Sequence, residues 1–94
     1  MIEFTKVEGT DYGNIRVFAL STCVWCKKTM QFLDNNNVAY SYVYVDKLSD
    51  EDVELCLQEQ LKYAEEESYP LVAIGEKDCI IGYDKSELKK LIKG

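Results

Sequence analysis

The sequence predicts an α/β fold: a small mixed sheet of four strands in the order β-α-β-α-β-β-α, flanked by helices, with a further edge strand available at the N-terminus. Three observations predict it. Ile15 to Ser21 (IRVFALS) is a nearly unbroken apolar run, the pattern of a central strand covered on both faces. Helical spacing and a second strand follow it, which makes a β-α-β unit with parallel strands and a right-handed crossover. After Pro70, two short apolar runs flank a polar turn, and such a hairpin adds only antiparallel strands. The sheet must therefore be mixed.

Each element has its own warrant. Ile2 to Val7 alternates weakly and supplies the edge strand, before a turn over Gly9 to Asn14. From Val24 to about Asn36, Cys26, Met30 and Leu33 share one stripe, while Lys27, Lys28, Gln31 and Asp34 fall mostly off it. Asn35, Asn36 and Asn37 stop that helix. Ala39 to Val45 (AYSYVYV) alternates and is rich in β-branched and aromatic residues, so it reads as the second strand, with Tyr40, Tyr42 and Tyr44 on one packing face. Ser49 caps a helix whose first turn is acidic (Asp50, Glu51, Asp52) and whose apolar stripe is Val53, Cys56, Leu57, Leu61 and Ala64. About four turns bring it to Glu65, Glu66 and Glu67. Leu71 to Ile74 and Cys79 to Ile81 form the hairpin around Gly75 to Asp78. Asp84 with Glu87 opens the last helix, which turns Leu88, Leu91 and Ile92 inward and ends at Gly94.

The 94 residues form one domain, 1–94, with no linker, repeat or low-complexity segment. Composition excludes several function classes. There is no histidine, which removes the usual general base, the usual catalytic zinc ligand and every Ser-His or Cys-His pair. The net charge is −6 and no basic stripe interrupts the acidic residues, so neither nucleic acid nor a membrane surface is an expected partner. No window approaches a membrane span and the N-terminus carries no secretory pattern, so a cytoplasmic location is expected.

In a reducing compartment the four cysteines are expected to be catalytic, metal-binding or buried rather than a disulfide framework. Cys23 and Cys26 stand at C-x-x-C spacing where the first strand meets the first helix, whereas Cys56 and Cys79 are isolated and read as buried, inert thiols. A zinc knuckle would need a second close pair, so no metal site is expected. At a helix N-terminus, unpaired N–H groups and the helix dipole favour an anion, which suits Cys23 to attack as a thiolate. Cys26, about one turn on, is placed to resolve a mixed disulfide. Exchange between sulfurs needs no imidazole. Lys27 adds a positive charge in the same turn, and Thr22 before the pair and Trp25 between its cysteines are candidate substrate contacts.

A strand, C-x-x-C, a helix, a single late X-Pro before a hairpin, and Gly82-Tyr83-Asp84 before a final helix together resemble the glutaredoxin family of the thioredoxin-like fold, over roughly Ile15 to Gly94. The resemblance implies that Tyr69-Pro70 is a cis bond facing the active cysteine, and that the backbone of Tyr69 pairs with a bound substrate strand. It implies an anion grip at Gly82, Tyr83 and Asp84, although Asp84 reads first as a helix cap. Two departures carry information: Val24-Trp25 replaces the family's usual Pro-Tyr, and no basic residue shortly precedes Cys23. Glutathione is therefore expected to serve poorly. Val24 is similar to the corresponding residue of family members that serve ribonucleotide reductase.

The expectation is a dithiol thiol-disulfide oxidoreductase and electron carrier, acting as a monomer without a tightly bound cofactor. Its partners would be a disulfide-containing protein and an external reductase, either thioredoxin-reductase-like or ferredoxin-linked. The alternative is an iron-sulfur cluster carrier that uses Cys23 at a dimer interface.

Overall fold

The computed structural model describes residues 3–64, 69–75 and 78–93. In chain order the elements are β1 (Thr5–Val7), β2 (Ile15–Ala19), α1 (Val24–Asn35), β3 (Tyr40–Tyr44), a 3₁₀ turn (Val45–Lys47), α2 (Asp50–Gln60), β4 (Leu71–Ile74), β5 (Asp78–Ile81) and α3 (Lys85–Lys93). The N-terminal strand forms, so the sheet has five strands in the order β1-β3-β2-β4-β5. Among the described strands β2 and β3 run parallel, with Ala19 opposite Tyr44, and the other three strand pairings are antiparallel. The chain is an α/β protein built on one mixed sheet, as the sequence predicts.

The period-two alternation of the strands divides the core between two faces. Ile15, Val17 and Ala19 of β2, Val72 of β4 and Ile80 of β5 pack with Cys26, Met30 and Leu33 of α1 and Leu88 of α3. Phe18, Val43, Leu71 and Ala73 point the other way and pack with Cys56 of α2. Thus β2 is covered on both sides, as its unbroken apolar run requires. Tyr40, Tyr42 and Tyr44 follow one another on the α1 face, with ring centroids 6.2 Å and 5.3 Å apart.

The end of α1 is set by Asn37, which adopts φ 55, a left-handed conformation that Asn tolerates better than most residues. The chain entering β2 passes very close to this corner. A Cβ on Gly9 would stand 2.6 Å from the Asn37 carbonyl oxygen, so only glycine fits there. Beside it, Thr10 and Val38 form a parallel bridge.

The structure corrects the predicted second helix. Its last helical residue is Gln60 and not the Glu65 to Glu67 run, which lies outside the described residues. After Gln60 the chain tightens into i to i+3 turns, with the N–H groups of Lys62 and Tyr63 donating to the Glu59 and Gln60 carbonyls. Leu61, expected inward, is 55% exposed. The buried face runs instead through Val53, Cys56, Gln60 and Ala64, and at its centre the polar Gln60 is fully buried. Part of the predicted hairpin turn, residues 76–77, and the terminal Gly94 also lie outside the described residues.

Candidate active site

The cysteine pair sits where its spacing placed it, at the junction of β2 and α1. Cys23 is the N-cap of α1, with extended backbone, and its Sγ accepts a hydrogen bond from the Cys26 N–H at 3.2 Å. Its carbonyl oxygen accepts from the Lys27 N–H, and its own N–H donates to the Leu20 carbonyl at 3.1 Å. Sulfur and helix end are therefore joined by a directed bond, in the position where the helix dipole favours negative charge.

The two thiols differ sharply in environment. Cys23 is half-buried and Cys26 is fully buried within the α1-facing core. Burial, and then the contact with Cys23, pushes the Cys26 thiol up to about 12. Such a thiol stays protonated at neutral pH and is shielded from attack on other molecules. The arrangement gives one sulfur access and keeps the other in reserve.

Parallel pairing of β2 and β3 brings their C-terminal ends together, and there Asp46 meets the loop that leads to Cys23. Its carboxylate accepts from the Ser21 N–H at 2.9 Å and from the Ser21 hydroxyl. These bonds hold the Asp46 carboxyl below its usual range. Sequence reasoning passed over this pair, although the predicted parallel crossover already implied that residues just beyond the two strand ends would be neighbours.

On the outer side, at the start of α1, Val24 and Trp25 are 62% and 56% exposed. Trp25 is nevertheless fixed: it stacks on Tyr83 with centroids 6.0 Å apart, and the Lys28 Nζ lies 4.9 Å from its ring centroid. Thr22 is exposed beside Cys23. Lys27 is exposed and lines a groove of about 610 Å³ with Met30, Tyr42 and Tyr44.

The Tyr69-Pro70 bond is cis, and Pro70 is buried. Pairing of Phe18 with Leu71 carries the segment just before β4 alongside the end of β2, toward the cysteine loop. Tyr69 and Cys23 pack against the same core cluster. The Pro70 carbonyl oxygen accepts from the Gly82 N–H at 2.9 Å, so the proline segment is tied to the Gly82-Tyr83 turn, where Gly82 adopts φ 75. Asp84 lies one step further on as the cap of α3. Its Oδ1 accepts from the Glu87 N–H at 3.2 Å and its carbonyl oxygen from the Leu88 N–H at 3.0 Å. The cap accounts for these contacts without a ligand.

Cys56 is buried as expected, whereas Cys79 is only half-buried, with its Sγ 3.5 Å from the Tyr63 carbonyl oxygen. Its edge strand β5 leaves it less covered than a central strand would. Burial pushes both thiols up. Among the described residues, no group of three or more Cys, Asp or Glu side chains comes together as a metal site, and no helix is long and apolar enough to cross a membrane.

This architecture is shared with known proteins. The glutaredoxin family model matches residues 15–79, from the start of β2 into β5. The structure of a glutaredoxin from Methanosarcina mazei Go1 is 34% identical, with a TM-score of 0.87 over 95% of this chain and 86% of that one. Methanoredoxin from Methanosarcina acetivorans is 30% identical, with a TM-score of 0.87 over 92% of this chain and 90% of that one. An uncharacterized glutaredoxin-like 8.6 kDa protein in the rubredoxin operon of Clostridium pasteurianum is 29% identical over 80 residues, 84% of this chain and 97% of that protein. Fold, family and cysteine spacing support a thiol redox function. The chain belongs to the glutaredoxin family.

Proposed function

We propose that the protein is a dithiol oxidoreductase that reduces disulfides in protein substrates, with Cys23 as nucleophile and Cys26 as resolving thiol. The carrying observation is the asymmetry of the pair: Cys23 Sγ caps the helix through the Cys26 N–H at 3.2 Å, while Cys26 is fully buried. The Cys23 thiolate attacks one substrate sulfur. A Cys23–substrate disulfide forms, the substrate S–S bond breaks, and the departing thiolate takes a proton from water. Cys26 then attacks Cys23 Sγ, the second substrate thiolate leaves with the proton that Cys26 gives up, and the intramolecular disulfide remains. The substrate has gained two electrons.

An external reductase of the thioredoxin-reductase or ferredoxin-linked kind restores the dithiol, and glutathione is a poor donor. Trp25, stacked on Tyr83, forms one wall beside Cys23, and the Tyr69-Pro70 segment forms the other. In this reading Thr22 and Gly82 are further substrate contacts. Lys27 adds positive charge near the helix start, and Asp84 holds the start of α3 in place. The protein works as a cytoplasmic monomer with no tightly bound cofactor.

The test is reduction of insulin disulfides with regeneration by NADPH and a thioredoxin-type reductase, by a ferredoxin-linked reductase, or by glutathione with glutathione reductase. Turnover with either of the first two and little with glutathione is expected. No turnover with any donor, or a brown, dimeric protein from anaerobic purification, would overturn this reading in favour of a cluster carrier.

A further inference from the structure

Gln60 is a polar side chain in a place that packing alone would give to an apolar one. It is 0% exposed, at the last helical position of α2, on the face that packs against the sheet. Its Nε2 donates to the Tyr69 hydroxyl at 3.3 Å, while its Oε1 is buried without a hydrogen-bond partner among the described residues. A half-satisfied buried amide is destabilising relative to an apolar side chain of similar volume, such as methionine. Stability therefore does not explain the residue, and an orphaned buried polar atom calls for another account.

What the amide touches supplies one. Tyr69 immediately precedes Pro70, and its ring packs against both halves of the core, at the end of the sheet where the cysteine loop lies. Its hydroxyl is anchored to the last helical residue of α2, and the next residue is anchored through its carbonyl to the Gly82 N–H. Fixing the phenol fixes the direction of the Tyr69 side chain, and with it the orientation of the Tyr69-Pro70 peptide. We propose that Gln60 is a positioning residue for this peptide, setting the wall against which a substrate segment lies while Cys23 reacts. The proposal rests on the disulfide-reductase reading above. Gln60 touches no reacting atom and acts through Tyr69.

The role predicts opposite effects on stability and on substrate binding. In Gln60→Met combined with Tyr69→Phe, both polar partners are replaced by apolar groups of similar shape, which is neutral or stabilising. The double variant should unfold at or above the temperature of Tyr69→Phe alone, which already carries the loss of any other contact of that hydroxyl. Its KM for a reduced-and-recycled assay on insulin disulfides should nevertheless rise roughly threefold to tenfold. The rate at which iodoacetamide alkylates Cys23 should stay within about twofold, because alkylation uses no bound substrate segment, and the change should fall on KM more than on kcat. Gln60→Met alone should raise KM as much as the double variant does, since the two groups act as one unit.

A folded double variant with wild-type KM would overturn the proposal. So would a KM rise matched by a fall in unfolding temperature below that of Tyr69→Phe alone, since that is the mark of a purely structural residue. If the wild-type protein reduces no protein disulfide, the reductase reading itself fails and the proposal falls with it. That result differs from active wild type with an unaffected variant.

Discussion

The Cys26 N–H points at Cys23 Sγ, 3.2 Å away, so each residue of the pair modifies the other. Cys26 lends its backbone to the sulfur that caps the helix, and Cys23 in turn helps burial to keep the Cys26 thiol protonated. The consequence is a fixed order of reaction. Partial alkylation of the reduced protein at pH 7 to 8 should modify Cys23 first, with Cys26 reacting only on unfolding or at strongly alkaline pH. Peptide mapping after timed iodoacetamide exposure checks this, and equal labelling of both thiols would contradict it.

The Cys26 shift also has a stability consequence with a definite sign. The folded-state value is about 12 and the ordinary value is 9.0, so the folded protein holds this proton more tightly than the unfolded chain does. The associated stabilisation is fully present below pH 9.0 and is lost progressively as pH rises toward about 12. Tyr40 works in the same direction, since burial and its bond to Asp34 push it above the ordinary 10.0. Urea midpoints should be level from pH 7 to 8.5 and fall above pH 9. The fall should be smaller in Cys26→Ser, which has no proton to lose there.

Asp46 is expected to hold the reactive loop in shape through Ser21 and to oppose ionisation of Cys26 by its charge. Asp46→Asn should therefore let Cys26 ionise at lower pH. In a Cys23→Ser background, the pH profile of Cys26 alkylation should move downward by a measurable fraction of a unit. A profile that does not move would show that the carboxylate has no electrostatic hold on the thiol.

Asp84 tests a role the resemblance and the local chain assign differently. As the α3 cap, its replacement by Ala should cost about 1 kcal/mol of stability, measured by urea unfolding. KM for a protein disulfide should change little. A large KM change with unaltered stability would restore the ligand-binding role.

Much of this was legible in the chain. The apolar run at Ile15 to Ser21 specified a central strand, and the helical stripe of Cys26, Met30 and Leu33 specified the face that α1 buries. The site's main atoms were legible because helix-end chemistry is local: two residues separate the cysteines in sequence and the same short turn carries both. Gln60 and Asp46 were not. A buried glutamine breaks the apolar pattern that marks a core face, so Leu61 was read in its place although it is 55% exposed. The Asp46 to Ser21 bond joins residues 25 apart, and only the parallel register of β2 and β3 makes them neighbours.

The central claim is the division of labour between the two sulfurs, and trapping tests it most directly. Cys26→Ser, reduced and then incubated with a disulfide-containing protein, should accumulate a covalent complex seen on non-reducing gels and released by dithiothreitol. Cys23→Ser should form none and should lose insulin reduction. A complex trapped through Cys26 in Cys23→Ser, or full reductase activity without Cys23, would contradict the account.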